Sequence, residues 1–142
     1  MIRTVVLTSL SLLTFLAAGC ELITIGPRHA PQAPLPDIDQ TTAVGAVYLF
    51  KAELDQTNTD AASFMLAAQD GNHMPALDKY EMQWELLRFA QLMAGKEITR
   101  VQTDTLSNAS YAVTAEFSYI TTLRFTTVLL EDKWFISSIA LM

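Results

Sequence analysis

Cysteine is nearly absent from this sequence: Cys20 is the only one in 142 residues. One thiol cannot close a disulfide within the chain, so packing alone must hold any folded domain. Histidine is almost as scarce, with only His29 and His73. Neither belongs to a His-x-x-x-His pair, and metal ions need several ligands at suitable spacing, so no metal site is expected. Basic residues never form a run, and nine of them stand against fifteen acidic ones, for a net charge of -6. Counterion release from phosphates therefore has no cationic footprint, which argues against nucleic acid as a partner. The same acidity is repelled by anionic headgroups, so electrostatics cannot hold the chain at a membrane. Gly-x-Gly-x-x-Gly, phosphate-loop and Gly-x-Ser-x-Gly patterns are missing, and no cofactor is expected.

The first segment is apolar. Arg3 carries the only early positive side chain, and Val5 to Ala18 contains no charge. As a helix these residues would reach ~21 Å, short of the ~30 Å hydrocarbon core, which suits an export signal better than a permanent span. The segment ends Leu16-Ala17-Ala18-Gly19-Cys20. That ending resembles the bacterial lipobox, in which small residues precede a cysteine that receives a diacylglycerol and becomes the mature N-terminus. Ala17 stands where the pattern prefers leucine, with Leu16 one place further back. The resemblance implies a signal peptide over 1–19, lipidation at Cys20 and a membrane anchor. Glu21 after the cysteine is compatible with the outer membrane, which places the domain in the cell envelope facing the periplasm. The alternative is an ordinary signal with Cys20 incidental.

Residues 20–40 read as the lipidated cysteine followed by a proline-rich tether, with Pro27, Pro31, Pro34 and Pro36 favouring extended backbone. Residues 41–142 form the candidate domain. Thr41-Thr42 can cap a helix over 43–56 whose inner face is Ala43, Val47, Phe50 and Leu54, although Gly45 weakens its first turn. Thr59 or Asp60 can cap a second helix over 61–68 that buries Phe64, Met65 and Ala68. Asp70-Gly71-Asn72 is a turn signal. A third helix is expected over 78–94, with an apolar arc so wide that it needs cover on more than one side, and Gly95 as its left-handed cap. From Ile98 onward there is no glycine or proline, and β-branched and aromatic residues are frequent. Strands follow over 98–105, 111–119, 124–130 and 134–141, with a bend at Thr121-Thr122.

Helices followed by an antiparallel meander that closes on Leu130-Glu131-Asp132-Lys133-Trp134-Phe135-Ile136-Ser137 resemble the nuclear-transport-factor-2-like fold. The opening helix Ala43–Leu54 and Trp134 in the last strand carry the likeness to small exported members of unknown function. It implies an α+β cystatin-like cone, in which helices pack on a curved antiparallel sheet; a generic α+β meander competes with it. Enzymes of that fold, SnoaL-like or ketosteroid isomerase-like, hold a carboxylate and often a tyrosine inside the cone. Asp60, Tyr80, Tyr111, Tyr119 and Glu116 are the candidates, but none matches a family motif, and no catalysis is expected. A small apolar ligand could instead occupy a pocket lined by Phe64, Trp84, Phe89, Phe117 and Phe125. The favoured expectation is a binding or assembly module, pairing with a second copy or an envelope protein, in which Thr114, Ser118, Thr122, Thr126 and Ser138 supply a small, polar outer sheet face.

Overall fold

A computed structural model describes residues 36–142. The segment expected to be a signal, Cys20, His29 and most of the proline-rich stretch lie outside the described residues. Four helices, α1 (Ala43–Asp55), α2 (Thr59–Phe64), α3 (Ala76–Glu81) and α4 (Gln83–Met93), precede four strands, β1 (Ile98–Ser107), β2 (Ser110–Phe117), β3 (Thr121–Leu130) and β4 (Lys133–Leu141). The strands form one open antiparallel meander in the order β1-β2-β3-β4, so the architecture is α+β.

Helix α1 carries the core. The Thr42 hydroxyl accepts from the Gly45 N–H at 2.9 Å and caps it. Ala43, Val47, Phe50 and Leu54 all turn inward as the periodicity requires. They meet β2, β3 and β4, whose inner face presents Val113, Ala115, Phe117, Leu123, Phe125 and Ile136. The Phe50 and Phe125 rings meet edge to face, 6.3 Å between centroids. Gly45 has a packing reason. A Cβ there would lie 2.5 Å from the Asp37 carbonyl oxygen and 2.7 Å from that of Asp39, because the incoming chain crosses the first turn. That chain is fastened at Gln40, whose carbonyl accepts from the Trp134 N–H while its Nε2 donates to the Trp134 carbonyl, both at 2.9 Å.

Helix α2 starts two residues earlier and stops four residues earlier than its periodicity suggests. Asn58 is the cap, accepting from the Ala61 N–H, and neither Thr59 nor Asp60 fills that role. The helix stops because the chain peels away to pair with β4: Ile136 N–H donates to the Met65 carbonyl at 2.9 Å and Ala67 N–H to the Ile136 carbonyl at 2.8 Å. Ala62 and Ser63 face inward and Phe64 faces solvent, contrary to its expected burial.

The helix expected over 78–94 is two helices joined at Met82, and its wide apolar arc is not wrapped by the sheet. Helix α3 buries nothing, and α4 buries only Leu86, Ala90 and Met93, one narrow line against α1 and α2. Gly95 closes α4 at φ 67°, in the left-handed cap its position predicts. The β2–β3 reversal is also displaced from Thr121-Thr122. Strand β2 ends at Phe117, and Ser118 and Tyr119 turn the chain at φ 49° and 61°. Glu131 and Asp132 make the β3–β4 turn the same way, at φ 49° and 62°.

Candidate functional site

Strand β4 carries an irregularity beside a cleft. Ile136 lies opposite Thr127 and Ser138 opposite Thr126, so Ser137 has no partner of its own. This bulge sets Ile136 and Ile139 on the same side despite a spacing of three. The Ser137 hydroxyl donates to the Thr126 carbonyl at 3.2 Å, which fixes the kink. Between the bulge and α4 runs a groove of about 280 Å³, with Leu66, Met74, Met82, Phe89, Ile136 and Ile139 as its apolar wall. Gln69, Glu85, Ser137 and Ser138 supply polar groups at its border. The Glu85 carboxylate is engaged by Arg88 at 3.0 Å. Methionines make this wall deformable, since their unbranched thioethers refill irregular space.

A second hollow, shallow and about 310 Å³, lies where the chain joins the domain, against Thr41–Val44, Thr103, Tyr111 and Trp134. The Tyr111 and Trp134 rings pack there with centroids 5.0 Å apart.

The five aromatics expected to line one pocket do not share a cavity. Phe117 and Phe125 are sealed in the core, Phe89 lines the groove, and Phe64 and Trp84 stand 66% and 77% exposed outside it. The candidate carboxylates and tyrosines are likewise dispersed. Asp60 accepts from Gln83 Nε2 at 3.2 Å on the helical surface. Tyr80 and Tyr119 are exposed, and Tyr111 packs on Trp134. Glu116 sits half-buried on the outer sheet face, within 3.4 Å of the Thr99 hydroxyl. His73 lies edge-on to Phe135 and 3.6 Å from the Glu131 carboxylate. Among the described residues no group of three or more His, Cys, Asp or Glu is placed to hold a metal ion.

Electrostatic perturbations lie away from the groove wall. Thr41 donates to the Asp39 carboxylate through hydroxyl and N–H and holds its pKa below the ordinary value. Asn72 does the same for Asp70 in the turn. Burial raises the Tyr48 phenol.

One surface feature was not anticipated from the sequence. Leu77, Tyr80, Trp84 and Leu87 form an exposed stripe along α3 and α4, spaced three, four and three apart. Phe64 adjoins it, with the Lys79 ammonium 4.6 Å above its ring and Tyr80 sharing its hollow. Large apolar side chains exposed at this spacing share one face of the two helices. Charged side chains of both signs lie around it: Asp60, Asp78 and Glu81, with Lys79 over Phe64 and Arg88 one turn beyond Trp84. The groove was legible only through the Ile136–Ile139 spacing, which breaks the two-residue period of β4. No protein-family model matches the chain, and no curated protein matches it in sequence.

Proposed function

We propose that the chain is a bacterial lipoprotein whose envelope-facing domain is a binding module. The observation that carries this reading is the placement of the only cysteine at the junction of an uncharged apolar segment and a proline-rich stretch. A thioether-linked diacylglycerol with an N-acyl chain supplies the more-than-one-chain anchoring that stable membrane attachment needs. The anchor then sits in the outer membrane, and the domain faces the periplasm. In this reading the domain is a nuclear-transport-factor-2-like member that acts by docking rather than by chemistry.

The exposed stripe on α3 and α4 supports a protein partner over a lipid surface. Its aromatic residues are of the kind that anchor interfaces, and the chain's net charge of -6 disfavours anionic headgroups. The partner that fits is an envelope protein with an apolar patch bordered by charged side chains of both signs. Crosslinking in membranes, followed by mass spectrometry, tests this. Wild type should hold one protein in stoichiometric yield, and Tyr80→Ser/Trp84→Ser should lose it by about tenfold or more, the effect expected of aromatic hot spots. Equal recovery with both chains contradicts the reading.

The groove beside the β4 bulge favours a second reading, a small apolar ligand. At about 280 Å³ it lies near the lower end of ligand pockets, which begin around 300 Å³. A small molecule retained through purification and lost on Phe89→Ala would favour this alternative.

A further inference from the structure

The sheet has two edges, and the protein treats them differently. The first half of the outer edge of β4 is occupied by Gln40 and by Met65–Ala67, which take bonds from Trp134 and Ile136 or donate to them. The outer edge of β1 carries nothing: among the described residues no backbone bond reaches it. Strand β1 is ten residues long and contains no proline, glycine or lysine. Its two register irregularities fall near its ends, at Ile98/Arg100 and Thr105/Ser107, and leave the middle regular. Native proteins normally blunt such an edge, because unpaired N–H and C=O groups template a further strand.

The sequence of that edge is complementary to itself. Read antiparallel about Gln102, Arg100 falls opposite Asp104, Val101 opposite Thr103, and Thr99 opposite Thr105. Two opposite-charge pairs therefore form at once. Arg100 and Asp104 lie on the outer sheet face, since their partners Glu116 and Ala112 alternate with the inward Ala115 and Val113.

Backbone polarity agrees with this pairing. The Thr127 hydroxyl reaches the Tyr111 carbonyl and the Thr99 hydroxyl reaches the Glu116 carbonyl. By alternation along β2, Ala112, Thr114 and Glu116 therefore direct their backbone groups to β1, where they face Asp104, Gln102 and Arg100. Val101, Thr103 and Thr105 are left pointing their N–H and C=O groups outward. A two-fold axis at Gln102 then makes Val101 and Thr103 of one copy exchange hydrogen bonds with Thr103 and Val101 of the other. We infer that β1 pairs antiparallel with β1 of a second copy, joining two four-stranded sheets into one of eight strands. The inference draws only on the described domain and stands whether or not Cys20 carries lipid.

Cysteine crosslinking of the full chain in cell membranes reads the register directly. At a two-fold axis through a non-hydrogen-bonded pair, residue 102 meets its own copy at about 4.5 Å between Cα atoms, within disulfide reach. Residue 104 is about 13 Å from its own copy, four strand residues along, and out of reach. Under mild oxidation Gln102→Cys should yield about tenfold more covalent dimer than Asp104→Cys. The wild-type chain measures any disulfide through Cys20, a failure of the lipoprotein reading that leaves the difference between the two variants intact.

The charge pairs give an independent test by sedimentation of the detergent-purified full chain. Asp104→Lys should abolish the dimer, and adding Arg100→Glu should restore it. Equal crosslinking at 102 and 104, absence of a covalent dimer at 102, or a covalent adduct with a different protein overturns self-pairing. So does a dimer indifferent to the charge exchange.

Discussion

Gly45 shows how one side chain's absence sets a local structure. On propensity alone, alanine in the first turn of α1 would stabilise the helix by up to about 1 kcal/mol. Here its Cβ would press on two backbone carbonyls of the segment that crosses the helix, and backbone cannot swing aside as a long side chain can. Gly45→Ala should therefore destabilise the domain by about 1–3 kcal/mol, the range for overpacking, as read from urea unfolding. Asp132 presents the opposite case. It holds φ 62° in a tight turn, a conformation that costs a non-glycine residue roughly 1–2 kcal/mol. Asp132→Gly should raise stability by about 0.5–1 kcal/mol once glycine's extra unfolded-state freedom is deducted, a gain of several degrees in melting temperature. The same conformation explains why the β2–β3 turn was misplaced in the sequence. Ser118 and Tyr119 bend the backbone without the Gly or Asn that marks such turns, and Tyr119 prolongs the alternation of β2 by one apparent member.

At the scale of elements, legibility followed how each element is covered. The inward face of α1 was plain because Ala43, Val47, Phe50 and Leu54 repeat at helical spacing and all meet one sheet. The strands were plain because their composition and period agree. Helix α2 was misjudged because pairing of Met65–Ala67 with β4 is a tertiary event with no local signal. The arc over 78–94 failed for a different reason: an apolar residue has the same sequence signature whether a core or an absent partner covers it. Tyr80 and Trp84 are not covered by the domain's own core, at 76% and 77% exposure. Their replacement by serine should shift stability by no more than about 0.5 kcal/mol, as at other exposed positions, while removing the surface proposed to bind a partner. Thermal melts of Tyr80→Ser/Trp84→Ser check the first half. A large loss of stability would mean that this face is core after all. The candidate pocket was illegible for the same reason, since five aromatics spread over α2, α4, β2 and β3 reveal nothing of which solvent-accessible space they share.

At the scale of the whole molecule, an acidic domain is proposed to be held at a membrane by lipid on Cys20 rather than by charge. The chain carries -6 overall, and the remainder after Arg3 is lost carries -7. No helix among the described residues is long and apolar enough to cross a bilayer. In the proposed reading attachment comes through Cys20, and confinement to a surface would then raise the local concentration of both the α3–α4 stripe and the open β1 edge. Weak contacts that would be sparse in free solution become populated there. The measurement that decides the matter is incorporation of labelled palmitate into the wild-type chain and Cys20→Ser, expressed side by side in bacterial cells. Label on the wild type and none on the variant is the predicted result. An unlabelled wild type, or equal label on both, contradicts it.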